Sequence, residues 1–256
     1  PSRLACAAET EVAWRGGARC AARLRACEAV SAPSRAFSCG LYSITGGLGG
    51  LGLRAAALLV EGGAVGVVLS SRSGRVVRDG QGLAAQLASL SSNAVVAAGD
   101  VGDALDAGFV AFGGALGGVL HAAGAGDRGL LVDLEMQRVQ WVSAPKAAGA
   151  LHLHCTASIT PLEASTAFSS VGAGLGNIGQ GNYAAANSYL DAHARMRRAS
   201  GFAACSIQWP LVGGAGMGAA AFATSGEQEA RIAGMAGITL DDYARCLGVQ
   251  LAVGNG

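Results

Sequence analysis

Four polar residues, Lys146, Ser170, Tyr183 and Asn187, follow the glycine-rich run Thr45-Gly46-Gly47-Leu48-Gly49-Gly50-Leu51-Gly52. A phenol, with an ordinary pKa of about 10, becomes a useful acid only beside a cation that stabilises its phenolate. Lys146, in Ala144-Pro145-Lys146-Ala147-Ala148-Gly149, supplies that cation if its helix packs alongside. Tyr183 and Asn187 are four apart in the helix-favouring Gly181-Asn182-Tyr183-Ala184-Ala185-Ala186-Asn187, so they share one helix face. Ser170, after the apolar run Ala167-Phe168-Ser169, can hold a carbonyl oxygen as negative charge develops on it. Taken singly, each has a plainer reading: a core tyrosine, a turn serine, a capping asparagine. Together they polarise and protonate a carbonyl, which makes hydride reduction of a ketone the expected chemistry.

The glycine run is the place for a hydride donor. Leu41-Tyr42-Ser43-Ile44-Thr45 reads as a strand, and Leu53-Arg54-Ala55-Ala56-Ala57-Leu58-Leu59 beyond the glycines reads as a helix. Glycine permits the tight turn and lets the backbone approach a pyrophosphate, whose charge the helix N-terminus favours. After the next apolar run, Val67-Val68-Leu69-Ser70-Ser71, the chain has Arg72 where an acid would accept the ribose hydroxyls of NAD. Arginine suits a 2′-phosphate, so NADPH is expected over NADH; the alternative is a solvated loop charge. Asp100, beyond the third strand, can accept from the adenine amino group or cap the next helix. The expected cofactor contacts are residues Thr45 to Gly52, Ser71, Arg72, Asp100, Val101, His121, Ala122, Ala123 and Gly124. His121 itself, in a Gly/Ala turn, reads as structural rather than as a general base.

Positioning these groups requires alternating strands and helices. Apolar β-rich runs predict strands near 41–45, 65–70, 94–98, 117–122, 165–169 and 203–208. Amphipathic stretches predict helices near 50–61, 80–91, 103–113, 133–141, 144–155, 182–199, 219–233 and 240–252. The fold class that follows is α/β, a doubly wound Rossmann-type, mostly parallel sheet with helices on both faces. Ser31-Ala32-Pro33-Ser34 reads as a linker, dividing residues 1–36, the edge of an upstream subdomain, from a cofactor-binding domain over 37–256. Glu11-Val12-Ala13-Trp14-Arg15 with Gly16-Gly17 suggests one strand and a turn. A start at Pro1 suggests an excised piece of a longer chain, and no seventh strand is expected after the last helix.

Composition removes several function classes. The chain is 51% hydrophobic and 14% charged, and its 41 glycines keep no three-residue period, so neither disorder nor collagen fits. A net charge of +1 offers no broad field for nucleic acid or anionic membrane. The seven cysteines form no CxxC pair and read as buried hydrophobes in a reducing, cytoplasmic setting. The Arg-, Ala- and Ser-rich first 36 residues leave a plastid address as the alternative, against which Glu9, Glu11 and Glu28 argue. Arg54, Glu61 and Gly62-Gly63 interrupt the apolar stretch 51–69, so no bilayer span is expected. His152, His154 and Cys155 lack a second-ligand motif, and no metal site is expected. Arg195, Arg197 and Arg198 read as a solvated helix end or as a patch for an acidic partner.

The sequence resembles the short-chain dehydrogenase/reductase superfamily and, within it, the ketoreductase domains of modular polyketide synthases and animal-type fatty acid synthases. The glycine run, Leu69-Ser70-Ser71-Arg72-Ser73-Gly74, His121-Ala122-Ala123-Gly124, Ala144-Pro145-Lys146, Phe168-Ser169-Ser170 and Gly179-Gln180-Gly181-Asn182-Tyr183-Ala184-Ala185-Ala186-Asn187 carry the resemblance, over about residues 40–253. Most of the superfamily has Lys four residues after the tyrosine; synthase ketoreductases exchange Lys and Asn, as Lys146 and Asn187 do here. The resemblance implies NADPH reduction of a β-ketoacyl thioester delivered on the phosphopantetheine arm of an acyl carrier protein, among neighbouring synthase domains. Tyr183 would protonate the oxygen, Ser170 orient it, Lys146 lower the tyrosine pKa, and Asn187 position Lys146 or a relay water. Substrate contacts are expected from Asp127, Leu175, Gln180, Pro210 and Met217.

Three departures from the family stand out. Gly126-Asp127-Arg128 replaces the Leu-Asp-Asp of one stereochemical class, and Leu175 stands where the opposite class has Trp. Retained Asp127 and the missing Trp lean towards the first class. Trp209-Pro210-Leu211-Val212 replaces the usual Trp-Gly-Pro-Trp ahead of a lid expected over 214–235, and the short Asp100–His121 stretch implies a trimmed third helix. Two other readings stay open: a stand-alone dehydrogenase acting on a free ketone or alcohol, and a non-catalytic scaffold domain.

Overall fold

The computed structural model describes residues 13–21, 40–77, 81–111, 116–157, 161–214, 216, 231–232 and 235–253. By contacts the chain divides into two compact units, Pro1–Ser31 and Ala32–Gly256. In the first, strands β1 (Ala13–Arg15) and β2 (Ala18–Cys20) pair antiparallel around Gly16-Gly17, so the expected strand and turn are a hairpin. The expected linker at Ser31–Ser34 lies outside the described residues.

The second unit is built on β3 (Leu41–Thr45), α1 (Gly50–Glu61), β4 (Gly66–Ser71), α2 (Leu83–Leu90), β5 (Ala94–Ala98), α3 (Ala104–Ala111) and β6 (Leu116–His121). There follow α4 (Met136–Ser143), a π-helical turn (Ala144–Ala148), α5 (Gly149–Ala157), β7 (Ala164–Ser170), α6 (Val171–Leu175), α7 (Gly181–Ala199) and β8 (Cys205–Trp209). Two short strands, β9 (Arg231–Ile232) and β10 (Met235–Ala236), precede α8 (Leu240–Val253).

Six parallel strands form one sheet in the order β5-β4-β3-β6-β7-β8. The winding direction reverses between β3 and β6, and a crevice outside the carboxyl ends of such strands is where open α/β sheets bind ligands. Both faces of the central strand β3 are covered: Tyr42 and Ile44 point to one side, Ser43 and Thr45 to the other, and all four are buried. On the first side α1 and α8 supply Leu53, Ala56, Leu59, Tyr243, Leu247 and Leu251, which pack with Leu69, Phe168 and Trp209. The spacing 243, 247, 251 is a helical stripe, and burying each of its leucines stabilises the fold by about 1.5–3 kcal/mol. Val101, Ala107, Val119 and Leu153 form a smaller cluster on the other side, where α3 packs on α5 and α7 packs on β7 and β8.

The doubly wound fold agrees with the sequence reading, and four details differ. The five-residue α6 was not expected, because Val-Gly-Ala-Gly-Leu has too little helix propensity to announce itself. Pro145, with no N–H to give back to the carbonyl of Trp141, opens the helical ladder, and Gly149 N–H then bonds the carbonyl of Ala144 five residues back. The expected helix 219–233 falls mostly outside the described residues, but at its end Arg231–Ile232 is a strand paired with Met235–Ala236. Arg197, expected in a solvated helix end, is 4% exposed; its guanidinium meets His154, the carbonyl of Ala203 and the ring of Phe202. Among the described residues no helix is long and apolar enough to cross a membrane.

Candidate active site

Lys146 sits in the π-helical turn with its side chain buried, and its Nζ donates to the carbonyl of Phe168 at 2.8 Å. Burial pulls its pKa from 10.5 to about 8, a shift that the carboxylate of Asp191 partly opposes. Gly124 makes the reach possible. A Cβ there would lie 2.9 Å from Lys146 Cε and 3.2 Å from Nζ, so any side chain displaces the ammonium.

The ammonium lies 5.8 Å from the centre of the Tyr183 ring. Burial raises the Tyr183 pKa, and hydrogen bonds with Asn187 and Ser170 work in the other direction. The phenol therefore keeps its proton at neutral pH while the adjacent lysine is charged, which is the state a proton donor needs. Ser170 ends β7 and caps α6, its Oγ accepting from Gly172 N–H at 3.2 Å. Asn187, fully buried one turn beyond Tyr183, donates from Nδ2 to the Tyr183 carbonyl at 2.8 Å. Its Oδ1 is buried with no hydrogen-bond partner among the described residues.

At the other end of the cleft, Gly46 has φ +67° and its missing Cβ would lie 2.7 Å from Ala123 N. Only glycine lets the loop after β3 press against the Ala122–Gly124 segment after β6. Helix α1 begins at Gly50 with neither a side-chain cap nor an acid in its first turn, which leaves its N–H groups and positive dipole end open to an anion. Ser71 Oγ is buried without a partner among the described residues. Arg72, directly after β4, has no carboxylate partner among them either; its guanidinium carbon lies 4.3 Å from the ring centre of Trp141. An open cleft of about 3360 Å³, solvent space included, joins these groups to Lys146, Ser170 and Tyr183. Its donor set, orphaned hydroxyl and extent fit a dinucleotide together with a second substrate.

Most expected contacts line this cleft: Thr45, Gly46, Leu48 to Gly52, Ser71, Arg72, Asp100, Val101, Ala122 to Gly124, Asp127, Gln180 and Pro210. His121 does not. It is 4% exposed behind the loop, its Nε2 against the carbonyl of Lys146 at 3.1 Å and its Nδ1 against Thr45 Oγ1 at 2.7 Å. A carbonyl only accepts, so Nε2 carries the proton and Nδ1 accepts from the threonine hydroxyl. Burial and the Lys146 charge lower the His121 pKa to about 4, so the imidazole is neutral. Gly47 turns inward, donating to the carbonyl of Ser70. Leu175 ends α6 half-exposed and away from the cleft lining, and Met217 lies outside the described residues. Asp100 does not cap α3: its Oδ1 accepts from Gly102 N, whereas Asp103 Oδ1 accepts from Leu105 N and Asp106 N.

The sequence reading missed the residues that hold Asp127. Arg138 Nη2 donates to Asp127 Oδ1 at 2.7 Å and also to the carbonyl of Arg128, while Asn182 Nδ2 donates to Oδ2 at 2.8 Å. The Arg138 bond first, then the Asn182 bond, holds the carboxyl below its usual range. Gly129 bridges to Gln180, so the loop after β6 is clipped to the start of α7 immediately before Tyr183. Arg138 and Trp141 are three apart on α4, but the sequence gives no sign that their partners are Asp127 and Arg72. Among the described residues no cluster of His, Cys and acidic side chains is arranged for a metal.

Comparison with known proteins gives a consistent result. The family model for the KR domain matches residues 40–214. Polyketide synthase GfsA of Streptomyces halstedii is 40% identical over 209 residues, 79% of this chain and 3% of that protein. A mycocerosic acid synthase-like polyketide synthase of Mycobacterium tuberculosis is 41% identical over 175 residues, 66% of this chain and 8% of that protein. This chain thus matches a small part of each synthase. Among solved structures, A-type ketoreductases from a modular polyketide synthase are similar with TM-score 0.82 and 31% identity, over 97% of this chain and 53% of that one. The first ketoreductase of the tylosin polyketide synthase has TM-score 0.80 and 32% identity, over 96% and 54%. With these matches added to a doubly wound sheet and a cleft lined by Lys146, Ser170 and Tyr183 with Asn187 buried behind it, the chain belongs to the KR-domain family, the polyketide synthase ketoreductases of the short-chain dehydrogenase/reductase superfamily.

Proposed function

We propose that this chain reduces a β-ketoacyl thioester to the β-hydroxyacyl thioester with NADPH, the acyl group arriving on the phosphopantetheine arm of an acyl carrier protein in polyketide or fatty acid synthesis. The observation that carries the reading is a buried Lys146 whose Nζ lies 5.8 Å from the Tyr183 ring, in one site with Ser170. They face the same cleft as the open N-terminus of α1. When bound, the coenzyme supplies the hydride. The Ser170 hydroxyl orients the ketone oxygen, and Tyr183 gives that oxygen its proton as negative charge builds. Lys146 stabilises the resulting phenolate. The unpartnered Oδ1 of Asn187 accepts from a water or from the lysine during reprotonation. The loop held by Arg138, Asp127 and Asn182 forms the wall along which the thioester enters, and the missing acid after β4 favours NADPH over NADH. Residues 37–256 make up the reductase, and residues 1–36 join it to the neighbouring synthase domain.

The test is oxidation of NADPH with a short β-ketoacyl thioester, first on a small thiol and then on a carrier protein. Turnover that prefers the thioester to a free ketone, and that Tyr183→Phe abolishes, is expected. Tight NADPH binding without turnover would make the chain a scaffold, and an equal rate with a free ketone would make it a stand-alone dehydrogenase.

A further inference from the structure

Arg72 is the cationic candidate beside the ribose, yet it is exposed and makes no ion pair among the described residues. A long side chain in that setting samples many rotamers, and that freedom is lost each time it grips a ligand. What it does have is a ring: its guanidinium carbon lies 4.3 Å from the centre of Trp141, within the range of a cation–π contact, with tryptophan the strongest partner for one.

The helix that carries the ring is tied down at two points. Trp141 stands one turn before Ala144 on α4, and α4 ends so close to the Asp100–Gly102 loop that a Cβ on Gly102 would lie 3.2 Å from Ala144 Cβ. One turn earlier on the same helix, Arg138 is tied to Asp127. Trp141 is 51% exposed and does not line the cleft, so neither core packing nor direct ligand contact explains a large aromatic there. A guanidinium resting against a ring through its carbon keeps its in-plane N–H fork for a phosphate.

We infer that Trp141 is a positioning residue for coenzyme choice: it holds Arg72 in the orientation that receives a 2′-phosphate. This rests on the reading of Arg72 as the group that favours NADPH.

The experiment compares 2′,5′-ADP with 5′-AMP, two fragments that differ only in the 2′-phosphate, by calorimetric binding to the chain and to three variants. Trp141→Leu keeps apolar volume without a π face and is expected to weaken 2′,5′-ADP about two- to five-fold, the size of an exposed contact of this kind, with 5′-AMP unchanged. Trp141→Phe should restore at least half of the lost preference. The same split should appear in KM for NADPH against NADH, with kcat unmoved. Equal weakening of both fragments, no change in either, or tighter 2′,5′-ADP binding overturns the inference. Arg72→Ala separates the two levels. If it leaves the preference for 2′,5′-ADP intact, the NADPH reading itself is lost; if it abolishes the preference while Trp141→Leu does not, only the role of Trp141 falls.

Discussion

Replacing Lys146 with Met keeps most of the stem's volume and removes the ammonium, so it separates what the charge costs the fold from what it does in the site. A pKa lowered from 10.5 to about 8 by burial corresponds to about 3 kcal/mol of preference for the neutral amine. Below pH 8 the amine is charged in both folded and unfolded chains, and the fold carries that cost in full. Between pH 8 and 10.5 the unfolded chain holds a proton that the folded chain has released, so wild-type stability rises with pH across this window. The Met variant has no such gain. Its lost hydrogen bond to the carbonyl of Phe168 costs about the same at both ends, since a neutral amine also donates. Urea unfolding of both proteins at pH 7 and pH 10.5 should therefore show wild type gaining about 3 kcal/mol on the variant. Tyrosine and cysteine titrations largely cancel in that difference. A gap that stays constant between the two pH values would mean that Lys146 is solvated in the folded chain, and the argument for a tuned lysine would be lost. In activity, kcat/KM of the wild type should fall as pH rises through about 8, whereas the variant should be slow throughout and lack that limb.

Tyr183→Phe should lower kcat about 10²–10⁴-fold and leave NADPH binding intact, as measured by calorimetry and single-turnover reduction. Gly124→Ala places a methyl against Lys146 Cε and should lower kcat at least ten-fold while circular dichroism holds, because the displaced group is the ammonium. Arg138→Ala frees the Asp127 loop and should raise KM for the thioester severalfold, by steady-state kinetics. Leu247→Ala, in the stripe between α8 and α1, should cost about 2–5 kcal/mol of stability by urea unfolding without a specific effect on kcat.

The sheet and its glycine loop were legible because strands such as Leu41–Thr45 are short runs of strand-favouring residues followed by glycine and a helix, a local pattern. Lys146, Ser170, Tyr183 and Asn187 could be picked out by residue type and order. Their electrostatic state could not, since it depends on how deeply Phe168, Gly124 and the π-helical turn bury the amine. The same gap explains His121. In sequence it sits with the cofactor glycines, but strand β6 carries its ring behind them, where it joins Thr45 to the Lys146 carbonyl. Arg138 and Trp141 escaped notice because Asp127 and Arg72 come from other loops, and no periodicity within α4 encodes a partner 69 residues away. Helix α6 was hidden because Val-Gly-Ala-Gly-Leu has little helix propensity and Ser170, which caps it, reads in sequence as a substrate-facing hydroxyl rather than as a cap.

The π-helical turn gives the stretch from Met136 to Ala157 two angular phases under one continuous backbone. Every residue added within a helix rotates whatever follows by about 100°, and the widened turn absorbs one such step. Ahead of the joint, Arg138 and Trp141 are aligned with loops at the carboxyl ends of the strands; beyond it, Ala150, Leu153 and Ala157 are aligned with the interior. Lys146 occupies the joint. One residue more than a uniform helix needs is thus housed without rotating either flank. Loss of a single residue between Ala144 and Ala148 would restore a uniform helix and keep both alignments, but it would remove the widened turn that carries Lys146, so the extra residue belongs to the site rather than to the packing.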